Sequence, residues 1–176
     1  MTTAFTEQDH ADRAEAERLV DRAMRMPDET ARDALMDRAY RLLVPLVAKR
    51  LPAAQFLHAC HFLSRECERE EDVERRYIEL VQDAAHGGYP PAQFRLGQML
   101  DRGGELEHDA ERSARLFQHL AEQGDPYAQW VHGLNLLSGD GLPKDKSLAL
   151  QFIERAAAGK FEGALKFLAD AYADGS

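Results

Sequence analysis

The stretch "PPAQFRLGQMLDRGG" at residues 90–104 recurs 36 residues later as "PYAQWVHGLNLLSGD" at residues 126–140. In both copies the matched positions hold a small residue, a glutamine and a glycine: Ala92, Gln93 and Gly97, then Ala128, Gln129 and Gly133. A fainter copy begins at Ala54, and another begins at Ala164. Self-similarity at such a period is typical of repeat proteins, so the repeat decides the interpretation of the chain.

The stretches between these copies repeat as well. "SARLFQHLAEQG" at residues 113–124 matches "ALQFIERAAAGK" at residues 149–160. Each copy has apolar residues at helical spacing, and glycine and proline fall between the copies. Each unit is therefore predicted to be two helices joined by a turn, which bury their apolar faces only by stacking. We predict an all-α fold, a right-handed superhelical α-solenoid of about nine helices.

The predicted domain boundaries follow the repeat. Residues 1–50 read as an N-terminal helical hairpin, broken near Pro27 with Asp28 as a helix cap and Pro45 inside its second helix. We interpret this hairpin as a degenerate first repeat or cap, and the alternative is a separate partner-binding hairpin. The repeats then occupy residues 51–87, 88–123 and 124–159. A half repeat over 160–176 ends after a first helix, and the missing second helix suggests either a truncated chain or an unusual cap.

The motif closely resembles the Sel1-like repeat family, which is related to tetratricopeptide repeats. The family motif consists of a small residue, a glycine, a glycine-rich turn, an aspartate and a final glycine, in that order. Two copies match it: Ala92, Gly97, Gly103, Asp109 and Gly124, then Ala128, Gly133, Gly139, Asp145 and Gly159. The resemblance implies a non-catalytic scaffold or adaptor that binds another protein or peptide, and its sharper variant is an immunity or secretion-associated role. The alternative that it implies is a hydrolase of the β-lactamase-like type, although the paired cysteines of exported members are missing.

In the Sel1-like class the first helix of each unit lines the concave surface. The resemblance therefore implies a row of partner-binding residues, to which Cys60 also belongs: Phe56, Leu63, Phe94, Gln98, Asp101, Trp130, Leu134, Leu137, Lys166 and Asp170. Phe56, Phe94 and Trp130 hold matching positions and are predicted to form a ladder of aromatic rings. That ladder either packs neighbouring first helices together or faces a ligand.

Composition excludes several classes of partner. The chain has 176 residues and a formal net charge of −9 at pH 7. Such a surface disfavours nucleic acid and anionic membranes, which need clustered lysine and arginine. The N-terminus is not typical of a secretory signal. Cys60 and Cys67, if on one helix, lie too far apart for a disulfide, and two thiols fit the cytoplasm.

Two motifs could carry chemistry, and both are better explained by structure. In "GDGLPKD" (139–145) the glycines can end one helix while Asp145 caps the next, and the order of residues is not that of a phosphate-binding loop. In "HACHFLSREC" (58–67) the histidines and cysteines could offer metal ligands, but a tetrahedral set is not apparent. Gly97 and Gly133 are expected to allow close helix packing. We expect no catalytic residue, no metal and no cofactor.

Overall fold

The protein is described by a computed structural model that covers residues 4–173. Within that range the chain forms nine α-helices and one 3₁₀ turn, and it contains no strand. The helices are α1 (Glu7–Met24), α2 (Glu29–Ala48), α3 (Pro52–His61), α4 (Glu70–His86), α5 (Pro90–Arg102), α6 (Ala110–Glu122), α7 (Pro126–Ser138), α8 (Lys146–Ala158) and α9 (Glu162–Ala173). The all-α prediction is confirmed. Gly175 and Ser176, where the predicted half repeat ends, lie outside the described residues.

The chain divides into two compact units, one up to Ala92 and one from Gln93 onward. In the first unit α1, α2 and α3 share one hydrophobic core that includes Val20, Leu43 and Phe62. The N-terminal hairpin therefore packs as part of its unit. In the second unit the buried residues of α6, α7 and α8 form the main cluster.

Side-chain caps mark where several helices begin. Asp28, Asp125 and Asp145 each accept a hydrogen bond from the backbone N–H three residues ahead. Each cap satisfies a backbone donor that the first turn of a helix leaves unpaired. The predicted caps at Asp28 and Asp145 are confirmed. Pro45 lies inside α2, as predicted, and the helix continues to Ala48.

Asp9, in the first turn of α1, links the start of the N-terminal hairpin to its end at Lys49. Its carboxylate accepts from the Thr6 backbone N–H at 2.9 Å, while Thr6 Oγ1 accepts from the Asp9 N–H in return. Lys49, which follows α2, places its Nζ 2.6 Å from Asp9 Oδ1. The hydrogen bonds from Lys49 and Thr6 lower the pKa of Asp9 to about 2. This carboxylate therefore stabilises both the start of α1 and its contact with the end of α2.

We predict that Asp9→Asn lowers the thermal midpoint at neutral pH. The pKa of Asp9 is lower in the folded protein than in the unfolded chain. Its stabilisation is therefore complete above the unfolded-state pKa, near 3.8, and is lost as the pH falls towards the folded-state pKa of about 2. The difference between wild type and variant should therefore shrink across that range. Melting followed by circular dichroism from pH 2 to pH 7 measures it, with Asp33→Asn on the exposed side of α2 as control. A difference that stayed constant with pH would contradict the assignment.

Small residues in the first helices let the second helices approach closely. A Cβ built on Gly133 would lie 2.7 Å from Ile153 Cγ1 and 3.1 Å from the Ala149 carbonyl oxygen. A Cβ on Gly97 would lie 3.1 Å from the ring of Phe117. The prediction that these glycines serve close helix packing is confirmed.

Gly133→Ala should lower the free energy of unfolding by about 1–3 kcal/mol, because the added methyl group overpacks the contact between α7 and α8. The intrinsic helix preference of alanine, about 1 kcal/mol, opposes this loss. Gly97→Ala is the matched comparison and should lower the free energy of unfolding by less. The Cβ at residue 97 would meet only the ring of Phe117, whereas that at residue 133 also meets the backbone of Ala149. Urea unfolding of both variants gives the two values. A stabilised Gly133→Ala protein would show that the helices can separate without cost.

One premise about the cysteines is wrong. Cys60 and Cys67 do not share a helix, because α3 ends at His61 and a 3₁₀ turn over Leu63–Arg65 follows. Phe62, which caps α3 with a non-helical backbone conformation, is completely buried in the core of the first unit. Both cysteines carry thiols and not a disulfide.

Candidate functional site

Helix α3, the first helix of the repeat predicted over residues 51–87, borders a groove in the unit that ends at Ala92. Its narrow part is a cavity of about 140 Å³ that Phe56, Leu57 and Cys60 of α3 line together with residues of α1. A wider cavity of about 300 Å³ extends along Pro52 to Phe5. Both cavities are lined by Arg13, Ala53 and Tyr89. They therefore form one continuous surface, which we call the α1–α3 groove.

The walls of the α1–α3 groove are held by contacts within the first unit. The rings of Phe56 and Tyr89 pack with centroids 5.7 Å apart. Arg13 forms an ion pair with Glu17 one turn further along α1. Sequence reasoning found Phe56 and Cys60 but missed the α1 residues and Tyr89. Their participation depends on how α1 packs beside α3, which a repeat pattern does not reveal.

Two titratable rings beside the groove, Tyr89 and His61, have shifted pKa values. Burial raises the pKa of Tyr89, and the nearby negative charge of Glu17 raises it further while Arg13 opposes the shift. Burial lowers the pKa of His61, and Asp21 opposes that shift. Both shifts favour the uncharged ring, and the lining of the groove is mainly apolar, with the Arg13–Glu17 ion pair at its edge. Such a surface suits an apolar group better than an ion.

In the second unit the predicted aromatics take part in a chain of ring contacts. Phe94 packs on Tyr127 at a centroid distance of 4.9 Å, and Tyr127 packs on Phe161 at 5.4 Å. Trp130 lies 6.1 Å from Phe161 and 5.6 Å from Phe167. The ladder in this unit therefore joins Phe94 to Trp130 through rings that sequence reasoning missed. These contacts show a packing role and leave partner binding as a prediction.

The other residues of the predicted row divide by exposure. Leu63 departs from the row, because it lies beyond the end of α3 in the 3₁₀ turn and is only 2% exposed. The remaining positions are accessible in part or in full. Gln98, Leu134 and Leu137 are half-buried, and Asp101, Lys166 and Asp170 are exposed. Leu137 also packs against the core clusters of the second unit.

Two histidines occupy the position where the repeat motif has leucine, and both are buried. His58 is 2% exposed, and its Nε2 lies 3.2 Å from Glu66. Glu66 also accepts a hydrogen bond from the Tyr40 hydroxyl at 2.8 Å. His132 is 3% exposed, and its ring meets that of Phe152 at right angles, with centroids 4.6 Å apart. Burial lowers the pKa of His132, and Glu122 opposes the shift.

His132→Leu should stabilise the protein, and more strongly at pH 5 than at pH 8. The folded pKa lies below the unfolded value near 6.5, so the unfolded chain binds more protons and stability falls as pH drops through that value. Leucine does not titrate, so it removes this pH-dependent loss. It also removes the buried Nδ1 of His132, which has no hydrogen-bond partner, and this should raise the free energy of unfolding by about 1 kcal/mol at pH 8. Urea unfolding at both pH values measures the effect. An equal gain at pH 5 and pH 8 would show that His132 does not titrate on unfolding.

The turn after α7 has the structural role that its sequence predicts. Gly139 ends the helix in the left-handed conformation with φ of 79°, and Asp145 caps α8. A Cβ on Gly141 would lie 2.1 Å from the Ala110 carbonyl oxygen, so this glycine lets the turn pack against α6. The glycines therefore serve the hairpin itself, and a phosphate loop is not needed to explain them.

Neither a cluster of metal ligands nor a membrane-spanning helix occurs in the described part of the chain. Among residues 4–173, no group of three or more histidine, cysteine, aspartate or glutamate side chains is arranged to hold a metal ion. In the same range, no helix is both long and apolar enough to cross a bilayer.

Paired helices that approach closely at a glycine, as α5 and α6 do at Gly97 and α7 and α8 do at Gly133, define an α-helical repeat protein. A family model for the Sel1 repeat matches residues 90–125 and 126–161. The crystal structure of a Sel1 repeat protein from Oxalobacter formigenes is 32% identical and covers 76% of this chain and 98% of that one, with a TM-score of 0.66. The chain belongs to the Sel1 repeat family, which confirms the resemblance seen in the sequence.

Two more distant structures share the fold alone. A protective antigen of uropathogenic Escherichia coli, which has the SLR fold, is 23% identical with a TM-score of 0.66. The alignment covers 96% of this chain but 36% of the antigen. Cysteine-rich protein B of Helicobacter pylori is 15% identical with a TM-score of 0.51, over 71% of this chain and 93% of that one.

Proposed function

We propose that the protein is an interaction scaffold that binds a partner protein or peptide on the face formed by its first helices. The α1–α3 groove takes an apolar side chain of the partner, which anchors it. Repeat arrays of stacked hairpins commonly use extended surfaces of this kind for binding. Sel1 repeats are commonly protein-interaction scaffolds, so family membership supports the same class of function.

The size and chemistry of the groove carry this proposal. A cavity of about 150 Å³ holds a benzene-sized group when its lining is apolar. The narrow part of the groove, at about 140 Å³, is therefore suited to one side chain such as phenylalanine or leucine. Buried apolar anchors of this kind supply much of the binding energy in protein interfaces. The Arg13–Glu17 pair at its edge gives polar groups for orientation.

The setting of this activity is part of the proposal. Two thiols and an acidic surface are in keeping with a cytoplasmic protein that binds other proteins. An immunity or secretion-associated role is the sharper hypothesis, which identification of the partner would test. A hydrolase function rests on distant resemblance, and the 15% identity to the cysteine-rich protein supports a common fold only.

The test is affinity capture with the immobilised chain from an extract of the organism that makes it. Ala53→Phe places a ring at the position shared by both parts of the groove and should abolish capture of the true partner. Leu148→Ser, at an exposed position on α8, is the matched control and should capture the partner as wild type does. Circular dichroism melts confirm that both variants fold.

A titration of the purified partner then measures the groove's contribution. Ala53→Phe should weaken binding by about tenfold or more, the order expected when a central anchor is blocked. Equal affinity for wild type and Ala53→Phe would place the partner elsewhere and refute the groove as its site.

A further inference from the structure

The exposed side of α1 has a row of three arginines, which we call the α1 arginine row: Arg18, Arg22 and Arg25. We propose that this row docks an acidic helix of a partner protein, with one carboxylate of that helix opposite each guanidinium group. The row is a different surface from the α1–α3 groove. The proposal therefore goes beyond the scaffold function described above and does not depend on the groove.

The spacing and burial of α1 give the row a fixed geometry. Steps of four and then three residues place the three arginines on one side of the helix. At about 1.5 Å per residue, the row is about 10 Å long. Ala16, Leu19 and Val20 of the same helix are buried in the core of the first unit. The helix is thus held from one side while the arginines are exposed to solvent on the other.

No carboxylate among the described residues forms an ion pair with the row. The acidic residues between and beside these arginines are directed to other groups. Glu15 pairs with an arginine of α2, and Glu17 pairs with an arginine one turn earlier on α1. Burial lowers the pKa of His61 in α3, and Asp21 is near enough to oppose that shift by its charge. The positive charge of the row is therefore not neutralised within the first unit.

The arginines around α4 show the contrasting arrangement. Arg69, Arg75 and Arg76 are exposed as well, and each pairs with an acidic residue three positions away. Ion pairs of this kind neutralise a charged helix surface locally and leave little charge for a partner. The α1 arginine row has no such pairs, so its charge is available for recognition.

The helix dipole explains only part of the row. Basic side chains in the last turn of a helix interact favourably with its carbonyl end, and Arg22 and Arg25 lie at that end of α1. Arg18 lies before the last turn, where this effect has faded. A role in binding accounts for all three residues.

The chemistry of the row identifies the kind of partner. A guanidinium group presents a fixed fork of donors that matches a carboxylate. Three cations on a chain with a net charge of −9 are too few for nucleic acid or an anionic membrane, which need larger basic clusters. A helix whose acidic residues follow the same steps of four and three residues can lie along α1 and meet every arginine.

The test is a nuclear magnetic resonance titration of the full 176-residue chain, labelled with ¹⁵N, with two alanine-rich helical peptides. One peptide has three glutamates in steps of four and three residues. The other has the same composition with its glutamates five residues apart, which places them on three different sides of the helix. Salt at about 0.15 M screens the repulsion from the net charge of the chain. The first peptide should shift the Nε–H resonances of the row with a Kd on the order of 1 mM, and the second should bind about tenfold more weakly.

Two triple variants with the same change in net charge locate the binding. Replacement of all three arginines of the row by glutamine should weaken binding of the first peptide by about tenfold or more. The control, Arg69→Gln with Arg75→Gln and Arg76→Gln, should leave binding nearly unchanged. Circular dichroism should show both variants folded, because the replaced side chains are exposed. Ala53→Phe should also leave peptide binding unchanged, which separates this proposal from the groove.

Four results would overturn the proposal. Equal weakening by the two triple variants would show that net charge alone governs binding. Equal affinity for the two peptides would show that helical spacing has no role. The proposal would also be overturned if the resonances of the row did not shift. Finally, tighter binding of a single-stranded RNA oligonucleotide or of phosphatidylserine vesicles than of the first peptide would assign the row to a nucleic acid or a membrane.

Discussion

The close approach of the two helices in each repeat is the constraint on which this fold depends. In the second unit, Ser113 Oγ of α6 donates a hydrogen bond to the Gly97 carbonyl of α5 at 2.9 Å, and both residues are buried. A side chain at residue 97 would meet the ring of Phe117 first. Glycine inside a helix costs about 1 kcal/mol relative to alanine, so its presence here is explained by the packing that it permits. Hairpin geometry therefore follows from one small residue per first helix.

Tight packing on one side of each first helix leaves its other side available. In the second unit that side has Phe94 and Trp130, whose rings pack on Tyr127 and Phe161 at the start of the following hairpin. The same aromatic residues therefore join successive hairpins and leave part of their surface accessible. A partner that binds there would contact side chains already fixed by neighbours, which reduces the entropy lost on binding.

The sequence was enough to predict the helices, their pairing and several caps, because each depends on local spacing. Asp28 and Asp145 cap helices through a backbone N–H three residues away, which a pattern can show. The end of α3 was missed, because the burial of Phe62 in a tertiary core stops that helix. The groove was found only in part. Its α1 wall depends on packing between segments that share no repeat, and no periodicity reports that contact.

The features that distinguish this chain lie where it departs from the repeat. A charged segment replaces the expected glycine-rich turn after α3, and one of its residues, Glu66, accepts a hydrogen bond from Tyr40 of α2. That bond raises the pKa of Tyr40, and Glu66 also lies beside His58, which replaces the leucine of the motif. Through these contacts the N-terminal hairpin is attached to the repeat that contains α3 and α4. Because α1 of that hairpin forms one wall of the groove, specificity for a partner is expected to depend on residues outside the two matched Sel1 repeats.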